Sequence, residues 1–202
     1  HDNVVRVYSA GPYGDNSIYI AMEFLAQGSA SRAAAGGFVP PRHAWRLSID
    51  MCRGLECLHQ NGFVHRDVKP SNLLISDSGR GKLSDFGLVA RMGAGGGASA
   101  AGYRFHLAPE LLHGGASGVA TDVFATGVTM YRLFNGDDLL PKYENFDELD
   151  QMILSGEYPN RELYQPFIPR RLKRAINKAM ELDPSDRFSS ASSLRHAVEQ
   201  VR

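Results

Sequence analysis

Three short runs hold most of the side chains with chemistry to do. The first is His65-Arg66-Asp67-Val68-Lys69-Pro70-Ser71-Asn72; the second, Asp85-Phe86-Gly87, begins thirteen residues after Asn72; the third is Ala108-Pro109-Glu110. In one compact loop, Asp67 supplies an acceptor, Lys69 a point positive charge and Asn72 a carbonyl ligand. Asp85 adds a hard carboxylate oxygen. Asn72 and Asp85 together could hold Mg²⁺, which takes one or two carboxylates and completes its shell with water and phosphate oxygens. Phosphoryl transfer asks for this inventory, because its loose transition state leaves the protein to position the nucleophile and neutralise charge on phosphate oxygens. Taken singly, each aspartate reads as a solvated loop carboxylate. The chemistry requires the first run and Asp85 to converge on one pocket.

The elements that must position them follow from periodicity. Residues 4 to 8 and 18 to 22 are β-branched and aromatic runs joined by turn-rich residues 11 to 16, which predicts a hairpin. From Pro40 the period becomes helical: Trp45, Ile49, Cys52 and Leu55 share one face, and Asn61-Gly62 is a stop signal. Helices are also predicted over Thr121 to Asn135, Phe146 to Leu154, Pro169 to Leu182 and Ser190 to Val201. Between these helices, residues 63 to 110 alternate short strands with loops. Residues 93 to 102 are only Gly, Ala and Ser and have no side chains with which to order themselves, so mobility is expected there. These glycines follow no strand and open no helix, so they do not make a phosphate-cradling loop.

Composition narrows the class. The 202 residues, 43% apolar and 22% charged, fit one large domain and exclude disordered, collagenous and disulfide-scaffold readings. Twenty-two Lys and Arg balance twenty-two Asp and Glu, leaving no global field to hold nucleic acid or an anionic membrane. Cys52 and Cys57 lie about 140° apart on their helix at roughly 100° per residue, which argues for reduced thiols rather than a disulfide or metal clip. No apolar run reaches a membrane span, and the amino end is not a signal peptide. A soluble, cytoplasmic chain is the expectation. The basic cluster Arg170, Arg171, Lys173 and Arg174 reads as a solvated helix face.

The three signatures, in order and at this spacing, closely resemble those of the protein kinase superfamily, and the resemblance extends over essentially the whole chain. His1-Asp2-Asn3 is similar to the turn before the family's fourth strand, Met22-Glu23-Phe24-Leu25 to its gatekeeper and hinge, and Asp183-Pro184-Ser185-Asp186-Arg187 to its closing motif. Thr121 to Gly127 resembles the start of its central buried helix. The resemblance implies an α+β, protein-kinase-like fold. Residues 1–22 would be a two-strand remnant of the β-rich N-lobe, 23–29 the hinge, and 30–202 a mainly α-helical C-lobe.

It implies roles as well. Asp67 would orient the substrate hydroxyl and accept its proton, Lys69 would face the γ-phosphate, and Asn72 with Asp85 would bind Mg²⁺. For ATP, Met22 would be the gatekeeper, Glu23 and Leu25 would offer backbone groups to adenine, Leu74 would lie beneath it, and Ser29 would sit near the ribose. Lys69-Pro70 resembles the serine/threonine branch. The partner would be a protein substrate; oligomeric state is not readable. His65 would pack against Phe86, and Glu110 would form a buried ion pair with Arg187. Arg66 marks the class whose activation loop is ordered by phosphorylation, with Ser99 as the expected autophosphorylation site.

Two departures qualify these expectations. No glycine-rich loop follows a strand, and no lysine precedes Lys69. The chain also starts without Met, so truncation of the upstream lobe is expected, with little or no kinase activity in these residues alone. Tyr103 stands where the family generally places a Thr whose hydroxyl contacts the Asp and Lys of the catalytic loop. Either the loop is rearranged or that contact is lost. Phe124 in place of the usual Trp is milder. The rival reading is a pseudokinase or regulatory module using the C-lobe as a scaffold; a small-molecule kinase is disfavoured by Ala108-Pro109-Glu110.

Overall fold

The computed structural model describes residues 1–14, 17–34, 37–93 and 103–201. Ser99 and the rest of residues 94–102, where mobility and autophosphorylation were expected, lie outside the described residues. Strands β1 (Val7–Tyr13) and β2 (Ser17–Met22) pair antiparallel, with Ala10 opposite Ile20 and Pro12 opposite Ile18. The hairpin is therefore present, but its first strand runs through Gly11 and Pro12 rather than turning there. In a two-stranded sheet each strand is an edge, so the missing proline N–H can face outward at no cost to the ladder. Val4 and Val5 are not part of β1: Val4 bridges Leu83, and the Val5 amide donates to the Leu83 carbonyl at 2.8 Å.

The helical body is built on α2 (Pro41–Gln60) and α4 (Val119–Asn135). Helix α1 (Ala30–Ala33) and helix α3 (Pro109–Leu112) are single turns that the periodicity did not reveal. Proline opens α2 at its first position, where an N–H would be orphaned anyway, and Asn61 caps its far end, as the sequence predicts. Helix α4 is buried almost from end to end, which is why apolar residues are found all around it, among a few polar ones. Two of its threonines are satisfied locally, Thr126 Oγ1 donating to the Asp122 carbonyl at 2.7 Å and Thr129 Oγ1 to Ala125 at 2.8 Å. Helices α5 (Phe146–Ser155), α6 (Arg170–Ala179) and α7 (Ala191–Glu199) complete the body within a residue or three of the predicted limits. Asn145 and Ser190 cap α5 and α7 by accepting from Glu148 and Ser193 amides.

Four short strands cross the predicted strand-and-loop region. Strand β3 (Phe63–Val64) pairs with β6 (Ala90–Arg91), and β4 (Leu73–Ile75) pairs with β5 (Gly81–Leu83), all antiparallel. Buried Asp50 on α2 ties β5 to the body, accepting from Arg80 at 2.6 and 2.8 Å and from the Gly81 amide at 3.0 Å. Cys52 is buried, Cys57 half-buried, and both are free thiols. Burial pushes the Cys52 thiol up to about 12. None of the described helices is long and apolar enough to cross a membrane.

Candidate active site

The register of one hairpin brings the two signature runs together. Asn72 closes a short 3₁₀ turn just before β4, Ser84 and Asp85 follow β5, and Leu73 pairs with Leu83. The next step along the ladder sets Ser84 beside Asn72. The Ser84 amide and hydroxyl both donate to the Asn72 carbonyl, at 2.9 and 3.0 Å. Convergence of the first run and the second is thus a consequence of strand pairing.

Asp67 sits at the centre of the loop and is nearly fully buried. Its Oδ2 accepts from Lys69 Nζ at 2.6 Å and from Asn72 Nδ2 at 2.7 Å, while Oδ1 accepts from the Tyr103 amide at 3.1 Å. The same Asn72 amide group donates to the Asp67 carbonyl at 2.9 Å. Both donors of that side chain are spent on Asp67, which turns its Oδ1 away as an acceptor. Asp85 is exposed and held at φ 61°, in the left-handed region, with its Oδ1 accepting from the Gly87 amide. Arg66 has φ 69°. Left-handed backbone is uncommon for residues other than glycine and collects at sites the surroundings over-determine.

What over-determines Arg66 is Asp122, in the first turn of α4. Its two oxygens accept from the His65 and Arg66 amides, each at 2.8 Å, and His59 Nε2 approaches Oδ2 at 2.8 Å. His65 packs edge-on against Phe86 at 5.8 Å, as the resemblance implied, and its Nε2 reaches the Ser84 carbonyl at 3.1 Å. Burial lowers the His65 pKa, so its ring is neutral and structural.

Of the residues expected to contact a nucleotide, Met22 and Glu23 end the first hairpin, and Leu74 lies on β4 directly across a bridge from Ser29. Leu74 and Ser29 are each partly exposed. The Glu23 amide donates to the Arg6 carbonyl at 2.9 Å, and its carboxylate accepts from Lys82 Nζ at 2.7 and 2.9 Å. The Lys82 hydrogen bonds hold the Glu23 carboxyl below the usual range. Leu25 accepts from the Gly28 amide at 3.1 Å. The third signature is anchored as expected: Glu110 takes a bidentate hydrogen-bond pair from the fully buried Arg187 side chain, both at 2.7 Å, with the guanidinium over Phe124 at 4.9 Å.

Sequence reasoning missed His106, Thr129 and the contacts of Tyr103. No spacing signal could have found them, since each acts through a neighbour distant in sequence. Of the two outcomes expected at Tyr103, the structure shows the lost contact: among the described residues its hydroxyl reaches neither Asp67 nor Lys69, while the amide of residue 103 binds Asp67 and the ring covers Lys69 at 5.2 Å.

Residues 1–198 match the protein kinase domain family. The chain belongs to that family. Among its relatives are a probable serine/threonine-protein kinase of Clostridium perfringens, CPE1738, 30% identical across 99% of this chain and 30% of the relative. The calcium/calmodulin-dependent protein kinase type 1 of Caenorhabditis briggsae is 33% identical across 97% of this chain and 56% of its own length. The tyrosine-protein kinase MasK of Myxococcus xanthus is 30% identical across 98% and 33%. The chain thus spans less than two thirds of each of these relatives.

Proposed function

We propose that this chain carries the phosphoryl-transfer site of an ATP-dependent protein serine/threonine kinase. The observation that supports it best is the state of the Asp67 carboxylate. A carboxylate offers about four lone-pair positions, and Lys69, Asn72 and the Tyr103 amide take three, leaving one on Oδ1. One remaining acceptor on an otherwise immobilised base suits a single task, accepting the proton of a substrate hydroxyl as that oxygen attacks the γ-phosphorus of ATP. Lys69 offsets charge on the transferred group.

Asn72 and Asp85 fit Mg²⁺. Among the described residues no cluster of three His, Cys, Asp or Glu could enclose a metal. Two oxygen donors flanking the paired strands β4 and β5, one just before β4 and one just after β5, would instead offer the open half-shell that Mg²⁺ completes with water and phosphate. When bound, the ion would offset the negative charge on the phosphate oxygens. Adenine would meet the Glu23 carbonyl and Leu25 amide past Met22, above Leu74, with Ser29 beside the ribose. Residues 1–22, 23–29 and 30–202 would serve as N-lobe strands, hinge and C-lobe. A cleft of about 620 Å³ beside Pro70, lined by Ser31, Ala34, Arg132 and Asp138, would receive the polypeptide substrate.

The test is transfer of γ-phosphate from Mg-ATP to a generic basic protein by the full-length protein, with phosphoamino-acid analysis. Wild type should yield phosphoserine or phosphothreonine, and Asp67→Asn should lower kcat by roughly 10²- to 10⁴-fold, the usual contribution of a positioned general base. Equal turnover by Asp67→Asn would refute the proposed role, and phosphotyrosine alone would reassign the substrate. These 202 residues hold neither a glycine-rich phosphate loop nor a lysine before Lys69. The chain by itself should accordingly show little turnover.

A further inference from the structure

We propose that Tyr103 is a positioning residue for phosphoryl transfer, holding Asp67 through its amide and the Lys69 ammonium through the face of its ring. This rests on the kinase reading of the same site. Lys69 Nζ lies 5.2 Å from the ring centroid while donating to Asp67 at 2.6 Å. Within about 6 Å a cation is drawn to an aromatic face, more strongly when partly desolvated. The Lys69 side chain is only 21% exposed. Its three N–H donors are then divided between the carboxylate, the ring and the open side where a phosphate would lie.

Two neighbouring rings pack near the Tyr103 ring, which is itself 39% exposed. Phe105 stands 4.7 Å away and His106 5.7 Å away, centroid to centroid. His106 is buried, and Arg132 Nη1 meets its Nε2 at 2.9 Å. A guanidinium can only donate, so Nε2 is the bare nitrogen and Nδ1 carries the proton, within reach of Thr129 Oγ1 at 3.2 Å. Burial, with Arg132 alongside, drives the His106 pKa down to about 3. The imidazole is neutral, so it sets no second cation against the ring to compete with Lys69. The Tyr103 hydroxyl makes no hydrogen bond among the described residues. The ring, not the hydroxyl, is the working part.

Two arms test this on the full-length protein. In the first, Lys69 ε-methylene signals are observed after ¹³C-lysine labelling and assigned by their loss in Lys69→Arg. An upfield ring-current displacement is expected in wild type, abolished by Tyr103→Leu and restored by Tyr103→Phe. In the second, Tyr103→Leu should lower kcat about 5- to 30-fold, the range that loss of a partly buried cation–π contact supports, with Tyr103→Phe as the rescue. The KM for ATP should change less than kcat. Undisplaced Lys69 signals in wild type, or Tyr103→Leu turnover equal to wild type, would overturn the inference while leaving the kinase reading standing. A wild type that transfers no phosphate would overturn that reading, and the catalytic role of Tyr103 with it.

Discussion

Replacing Glu110 by Gln should destabilise the domain by about 3 kcal/mol, toward the lower end of the 3 to 5 kcal/mol that breaking a buried pair costs. The reason lies in the asymmetry of the pair: the Arg187 side chain is 0% exposed and that of Glu110 20%. Glutamine keeps one acceptor oxygen but leaves the guanidinium charge uncompensated and turns an NH₂ toward it. For a domain of this size, each kcal/mol shifts Tm by about 2 to 4 °C, so a fall of roughly 6 to 12 °C is expected. Arg187→Met should be at least as damaging. It removes the stranded charge, yet it orphans the carbonyls of Glu181, Ala120 and Leu182, now served at 2.7, 2.9 and 3.1 Å, at about 1 kcal/mol each. The combination Glu110→Gln with Arg187→Met should then cost clearly less than the sum of the two. Urea unfolding followed by far-ultraviolet circular dichroism, on all four proteins, gives the cycle. A Glu110→Gln loss below about 1 kcal/mol, in the range of a solvated pair, would refute the claim that this contact is buried in the working sense.

Two further outcomes follow from packing and titration. At Gly127 an added Cβ would lie 2.6 Å from Met180 Cγ and 3.0 Å from Ala179 Cβ, so Gly127→Ala should destabilise by about 1 to 3 kcal/mol, read as a lower urea midpoint, despite alanine's better helix propensity; an unchanged or raised midpoint would show that α4 and α6 part freely. His106 has a folded pKa of about 3 against an ordinary value of 6.5, so the unfolded state binds the proton first. Its contribution is whole above pH 6.5 and is lost progressively as pH falls from there toward 3, amounting to about 2 kcal/mol by pH 5. His65 shifts in the same direction. Stability measured at pH 7 and pH 5 should fall less in His106→Gln than in wild type, and equal falls would contradict a neutral buried imidazole.

Much of this was legible in the sequence because it is local. The spacing of Asp67, Lys69 and Asn72 within one loop, the helical periods, and the Asn61 and Ser190 stops and starts all act over a few residues. The misplaced first strand shows the limit. Gly11 and Pro12 carry turn propensity, but an edge strand tolerates both, and Val4 and Val5 find a partner in Leu83, far along the chain. Asp122 reads in sequence as a helix-opening acid; only the fold sets it under the His65 and Arg66 amides. Tyr103 is the sharpest instance. Residue type predicts correctly that a threonine hydroxyl is absent, yet says nothing of where a larger ring will settle.

Where it settles ties the Asp67 loop to the helical body. The segment from Tyr103 to Glu110 is fastened along its length. Arg104 pairs with Asp150 on α5, and Phe105 packs against the cluster of Leu149, Ile153 and Tyr158. His106 is gripped by Arg132 and Thr129 of α4, and Glu110 by Arg187. A short segment fixed at so many points cannot shift at one end without strain at the other, and its first residue supplies the amide that fixes Asp67 Oδ1. The ion pair at Arg187 therefore bears on the Asp67 loop, the proposed catalytic loop, as well as on stability. Loosening it should free the segment, and with it the Tyr103 amide that fixes Asp67, the proposed proton acceptor.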